Sequence, residues 1–275
     1  MSEYIIRPMT IEDAHQGARL WSLVFGDAEA VVGEFFRLFA HTPTFGVCAE
    51  QSGTIVAAAY CPTGMDYITA DDGTATGCYL YAVATHPDHR KHGLARKLCL
   101  QLRNAAWCTG LDYLFTKPSE ESLYPWYAEK IDAIPCLGAM QAEFSATEAV
   151  PLPVETLTWA DYMTLRDKHL RGTNHVQQNQ AWMQWEQVLH DAYGGGFYAV
   201  GNRIADCYFD GKTLTVNELL PHPTLTEAEI LCSSLMATLG GAKCKCTLWG
   251  EGHYVSAASK DGKLPPNGWF GNCYG

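Results

Sequence analysis

The stretch Leu80–Arg96, reading LYAVATHPDHRKHGLAR, constrains the fold more than any other part of the chain. It opens with a strand pattern, passes through His86-Pro87-Asp88-His89, and reaches Arg90-x-x-Gly93-x-Ala95 where a helix should start. A strand that ends in a Gly-containing turn and feeds a helix leaves the first N–H groups of that helix without internal partners. The helix dipole favours negative charge at the same place. Gly93 lets the main chain approach an anion, and Ala95 keeps the wall small. The segment predicts a diphosphate cradle; the competing reading is a surface turn whose basic residues serve solubility.

The segment resembles motif A of the GNAT family of N-acetyltransferases, whose loop reads Arg/Gln-x-x-Gly-x-Gly/Ala. Arg90, Gly93 and Ala95 fall on the three motif positions. The resemblance implies that this loop, with Lys91, His92, Leu94 and Arg96, holds the pyrophosphate of acetyl-CoA. It also implies that backbone groups of Val83, Ala84 and Thr85 lie beside the thioester. After the next strand, Leu123-Tyr124-Pro125-Trp126-Tyr127-Ala128-Glu129-Lys130 looks like motif B, which often reads Leu-Tyr-x-x-Tyr-Glu-Lys-x-Gly-Phe. Here Ile131-Asp132-Ala133 replaces the usual ending, with one residue added relative to the pattern. Tyr127 is the first choice for the catalytic tyrosine and Tyr124 the second.

The formal net charge is −11 over 275 residues, which disfavours nucleic acid or an anionic membrane as the main partner. The local basic patch of Arg90, Lys91, Arg96 and Lys97 sits where a phosphate would lie. No apolar run is long enough to span a bilayer, and the N-terminus lacks a signal-peptide pattern. The 11 cysteines include no C-x-x-C, so reduced, buried thiols in a cytoplasmic protein are expected. Cys244 and Cys246 are expected on opposite sides of one strand. No metal is expected: His86, His89 and His92 are spaced by three on a loop without a carboxylate or thiol cluster.

The patterns through residue 116 read β-α-α-β-β-β-α-β, with a strand over Tyr79–Thr85 and a helix over Leu94–Cys108. The strand–loop–helix–strand crossover implies a locally parallel pair. In the resembled fold those two strands splay apart and admit the pantetheine arm. Residues 150–154, VPLPV, mark a hinge. Beyond it an αα-βββ-α-β order recurs, but Pro221–Thr226 stands where the glycine loop should be. The fold class is therefore α/β (α+β), a GNAT fold with a mixed sheet flanked by helices. Residues 1–149 form the acetyl-CoA-binding domain and residues 150–275 a degenerate repeat, with an unrelated cap as the alternative. Gly194–Gly196 is expected as a flexible loop, Trp182/Trp185 as helix packing, and the tail Trp269–Gly275 as a docking strand.

The implied chemistry is attack of an amine on the acetyl-CoA thioester, with Tyr127 as general acid. Family members often carry a base Glu on the central strands, and Cys78–Thr85 contains none. Glu120, Glu121, His86 and His89 are the alternatives, the glutamates through water. Glu218 lies in an apolar strand, where an unpaired carboxylate would be costly. It could line the cleft between the lobes and bind a cation. The acceptor is expected to be a small-molecule amine or a protein amine, and a homodimer is left open. The alternatives to an enzyme are a non-catalytic acetyl-CoA-binding module and an interaction protein.

Overall fold

The computed structural model describes residues 3–147 and 150–272. The first half runs β1 (Ile5–Pro8), α1 (Ala14–Phe25), α2 (Glu29–Phe39), β2 (Gly46–Gln51), β3 (Thr54–Tyr60), β4 (Met65–Ile68), β5 (Thr74–Ala75), β6 (Gly77–Tyr79), β7 (Tyr81–Thr85), α3 (Leu94–Cys108), β8 (Tyr113–Thr116), α4 (Tyr124–Ile131), β9 (Ile134–Leu137) and β10 (Ala139–Ser145). The second runs β11 (Val154–Leu157), α5 (Trp159–Leu170), β12 (His175–Gln178), α6 (Gln180–Tyr193), β13 (Gly195–Val200), β14 (Arg203–Phe209), β15 (Thr213–Leu220), α7 (Leu225–Leu239), β16 (Lys243–Trp249) and β17 (Val255–Ser259).

Helical spacing of apolar residues decides the layers. α2 buries Val32, Phe35, Phe36 and Phe39, and α3 buries Leu94, Leu98, Cys99 and Leu102, each as one stripe. The central strand β3 serves both cores: Ala58 and Tyr60 pack toward α1 and α2, Ala57 and Ala59 toward α3. A strand covered on both faces carries a near-continuous apolar run, as Ile55–Cys61 does.

The expected strand Tyr79–Thr85 is two strands in two sheets. β6 pairs in parallel with β8, whereas β7 pairs antiparallel with β3. The chain changes sheets at Leu80, and Ala82 just beyond has φ +46°. The β4–β5 hairpin and β12 were not expected. Both are short, and β12 gains its partner only from the other half of the chain, β4.

The second half repeats the first in order, with β11, β13, β14, β15 and β16 adjacent in one sheet. The halves also exchange strands. β10 pairs along its whole length with β16, and β17 inserts between β8 and β9. Each lobe therefore completes its sheet with a strand from the other half. The expected boundary at 149/150 adjoins residues 148–149, outside the described residues, and the sheets cross it twice. Trp182 and Trp185 pack across the same interface, with ring centroids 4.5 Å from Phe39 and 5.2 Å from Phe35 respectively.

Several local expectations need correction. Gly194 caps α6, but Gly195 and Gly196 belong to β13 rather than to a loop. A Cβ at Gly195 would lie 2.2 Å from the His190 ring, so glycine is required by packing there. Cys244 and Cys246 are both buried on one face of β16, because residues two apart on a pleated strand share a face. In the tail, Trp269 and Phe270 are buried and Trp269 bridges His175; residues 273–275 lie outside the described residues.

Glu218 does not line the cleft. It is 1% exposed and accepts from Arg166 Nε at 2.9 Å, Tyr162 Oη at 2.6 Å and Trp269 Nε1 at 2.5 Å. Burial would raise its carboxyl, but Arg166 and the two neutral donors outweigh that and hold it below its ordinary value. Glu218→Gln leaves Arg166 buried without its counter-charge and should cost about 3–5 kcal/mol of stability at pH 7. A carboxyl lowered in the fold stabilises above its unfolded-state value and loses that contribution as pH falls through its folded value. Urea midpoints of the wild type and the variant should therefore differ at pH 7 and converge below the unfolded-state value of about 4.3.

Candidate active site

The parting of β7 from β8 makes the site. Leu80 N–H donates to the Phe115 carbonyl at 2.8 Å, and the Thr116 hydroxyl donates to the Leu80 carbonyl at 3.1 Å. Beyond that point β7 is the edge of its sheet, with β3 on one side and, among the described residues, no strand on the other. Peptide groups along such an edge point into the gap. A cavity of about 730 Å³ opens there, lined by Tyr81, Ala82 and Val83 on one side and Thr116, Lys117 and Tyr127 on the other.

The two helix N-termini that the repeat brings into correspondence differ in electrostatics. α3 starts from Gly93 at φ +71°, has no side-chain cap, and carries no acidic residue in its first turn. Lys91 is also left-handed, at φ +66°. A Cβ at Gly93 would meet nothing within 4 Å, so the glycine answers to backbone conformation and leaves the space before the helix open. At α7 the space is filled from within. Glu227 accepts from Thr224 N–H at 2.8 Å, the Thr224 hydroxyl accepts from Glu227 N–H at 3.3 Å, and Arg203 pairs with Glu227 at 2.7 Å. One helix start can take an external anion, whereas the other holds its own.

The remaining loop residues are arranged around α3. Arg90 Nε donates to the Thr85 carbonyl at 3.4 Å, His92 and Arg96 are exposed, Leu94 is buried and Ala95 half-buried. Val83 lines the cavity, whereas Ala84 is buried. His89 Nδ1 lies 3.1 Å from the Tyr4 hydroxyl, and the His92 ring packs on Tyr4 at 5.6 Å.

The motif B residues separate. Tyr127 lines the cavity; burial raises its hydroxyl above the ordinary value, against a smaller downward pull from the Thr116 hydroxyl. Tyr124 is buried and its hydroxyl donates to the Tyr254 carbonyl at 3.0 Å. Glu120 is exposed, accepts from the Ser122 hydroxyl at 3.2 Å, and is not among the cavity-lining residues. Asp132 at φ +59° ends α4 in the left-handed position that a glycine would ordinarily fill.

The opposite wall comes from the second lobe: Glu186, Leu189 and Tyr193 of α6, Tyr208 of β14 and Asn217 of β15. Behind Glu186 stand His190 and Asp206, and these three are the grouping able to hold a metal ion among the described residues, with ligand atoms within 4.8 Å of one another. His190 Nε2 lies 2.8 Å from Asp206 and 3.3 Å from Glu186. The shorter separation is a hydrogen bond, so a proton already holds this cluster together.

Residues 5–128 match the model of the acetyltransferase (GNAT) domain. The N-terminal lobe is a GNAT domain. Solved structures share the fold over both lobes of the chain. A conserved protein of unknown function from Enterococcus faecalis, described as a probable N-acyltransferase, is 10% identical with a TM-score of 0.67; the match covers 94% of this chain and 73% of that one. A GCN5-related N-acetyltransferase from Kribbella flavida is 14% identical with a TM-score of 0.64, covering 94% and 72%. A tandem GNAT protein from the clavulanic acid biosynthesis pathway is 13% identical with a TM-score of 0.56, covering 94% and 98%. A comparison with curated protein sequences gave no match.

Sequence reasoning missed the second-lobe wall of this GNAT site. The signal was present in α6, where Glu186 and His190 stand four residues apart on the face that carries Trp182 and Trp185. Two titratable groups within an apolar stripe demand partners. The contrast between the two helix starts is testable in the GNAT lobe. Arg96 holds the third helical position of α3, as Glu227 does in α7. Arg96→Glu should weaken binding of inorganic pyrophosphate by about tenfold or more in calorimetric titrations, and Arg96→Gln by clearly less.

Proposed function

We propose that the chain is an acetyl-CoA-dependent N-acetyltransferase with one active site, in the N-terminal lobe. The observation that carries this reading is the open edge of β7 between an uncapped α3 N-terminus and Tyr127 on the facing wall. When bound, acetyl-CoA supplies the activated acyl group. Its diphosphate fits the start of α3, with Arg90, Lys91 and Arg96 near it and no acidic side chain in the first turn. Its pantetheine arm fits the gap between β7 and β8.

Each chemical need then has a group. Backbone N–H groups at Val83–Thr85 can stabilise the oxyanion that forms as the thioester carbonyl is attacked. Tyr127, held protonated by burial, can give its proton to the departing sulfur. The acceptor enters from the side of the cavity walled by the second lobe. An alkyl amine of pKa about 10.4 is mostly an ammonium ion at pH 7, a handicap of about 4.6 kcal/mol, so a proton acceptor is also needed. Glu120, exposed beside Ser122, could reach that proton through water.

Among the described residues no helix is long and apolar enough to cross a membrane. Release of free thiol from acetyl-CoA in the presence of an amine panel tests the activity. Tyr127→Phe should lower kcat by about 10²–10⁴-fold with the acetyl-CoA Kd nearly unchanged. Tight binding by the wild type without thiol release would instead identify a non-catalytic acetyl-CoA module, and no binding at all would remove both readings.

A further inference from the structure

Two features of the cavity are not used by the cofactor: a second-lobe carboxylate with an unfilled oxygen, and the first-lobe rings of Trp21, Phe25 and Tyr81. Glu186 is 1% exposed, yet it is among the cavity-lining residues. Its Oε1 accepts from the Tyr208 hydroxyl at 2.5 Å, whereas its Oε2 is buried and has no hydrogen-bond partner. An orphaned carboxylate oxygen in a dry site is costly unless something else satisfies it. Asp27, from the loop between α1 and α2, also lines the cavity. Its oxygens accept from Trp21 Nε1 at 2.7 Å and the Tyr193 hydroxyl at 2.6 Å, both neutral donors. Tyr81, at the mouth of the gap, feels the charge of both carboxylates. The one basic lining residue, Lys117, has its Nζ 5.2 Å over the Tyr254 ring.

We propose that Asp27 and Glu186 form an acceptor subsite for a small primary ammonium ion whose apolar body lies against Trp21, Phe25 and Tyr81, and that Glu186 is the base. The proposal rests on the N-acetyltransferase reading and assigns the group that the central strands lack. Two carboxylates without Lys or Arg partners favour a cation, and the aromatic faces add cation–π attraction.

His190 and Asp206 stand behind Glu186. Burial pulls the His190 imidazole down, but Asp206 and Glu186 outweigh it and raise it to about 10. Burial and then the Glu186 charge raise Asp206 to about 7, against the pull of His190. His190 and Asp206, in hydrogen-bond contact, titrate as a coupled pair.

The step balances as follows. The ammonium gives one proton to Glu186 Oε2. The freed lone pair forms the C–N bond to the thioester carbon, and the C–S pair leaves on sulfur, which takes the Tyr127 proton. The second nitrogen proton returns to Tyr127, and the proton on Glu186 passes to water.

The test uses the full chain and three amines, benzylamine, phenethylamine and hexylamine, each beside its alcohol analogue. Acetyl-CoA is titrated first, so that failure of the cofactor reading is seen separately from failure of this one. We expect each amine to bind at least about tenfold more tightly than its alcohol, and Asp27→Asn to erase that preference. Asp27→Asn should act chiefly on amine KM. Glu186→Gln should lower kcat by about 100-fold or more with acetyl-CoA affinity within about twofold of wild type, and Glu186→Asp should recover part of the loss. Acetyl-CoA binding combined with equal affinity for amines and alcohols would overturn the ammonium subsite. A Glu186→Gln variant that binds acetyl-CoA and keeps wild-type kcat would overturn the base. Should Glu186→Gln fail to fold, the Asp27→Asn comparison and the amine-to-alcohol ratio of the wild type still decide the subsite.

Discussion

Past Leu80 no strand among the described residues pairs with the side of β7 whose peptide groups would face β8, and the cavity opens along that vacancy in the ladder. A continuous parallel pair would satisfy those groups and leave no room for a ligand. The chain instead sends β6 to one sheet and β7 to the other, with the left-handed Ala82 at the turn and the Thr116 hydroxyl satisfying the last carbonyl. A strained, bulged strand persists only where surrounding packing over-determines it. Here Tyr79 and Tyr81 are held on either side of the break by Trp182 of the second lobe, at centroid distances of 5.7 Å and 6.3 Å.

The second lobe is thus more than a remnant. At its own helix start Glu227 occupies the place of an outside anion. The lobe also presents a polar, partly acidic wall to the first lobe's cavity. The buried Arg166–Glu218 pair belongs to a different role: it fastens α5, β15 and the tail together, with Arg166 also donating to the carbonyls of Val176 and Phe270. Glu186 and Glu218 are equally buried, but one is fully bonded and faces away from the cavity whereas the other has an open oxygen and faces it. Burial alone does not separate these two carboxylates; the count of donors does.

Local signals carried much of this into the sequence. The helix over Leu94–Cys108 was legible because its apolar stripe and glycine start agree. The order of the repeat was legible for the same reason, since α6, β14, β15 and α7 each carry their own period and turn residues. What escaped was non-local. Leu80 looks like any residue in an apolar strand, and nothing in LYAVAT announces a change of sheet. That Tyr124 is held against a carbonyl, whereas Tyr127 lines the cavity, depends on Tyr254, some 130 residues away. The hairpin β4–β5 and strand β12 are stabilised by each other across the lobes, so neither segment shows it alone.

The exchange of β10 and β17 has a consequence for the order in which the molecule can be made. A chain leaving the ribosome presents the GNAT lobe first, yet β8 and β9 wait for a strand that ends at Ser259. Until then two strand edges are exposed beside the future ligand cleft. The half that is synthesised earlier is therefore the half that is finished later, and the GNAT lobe is completed only once β17 has emerged.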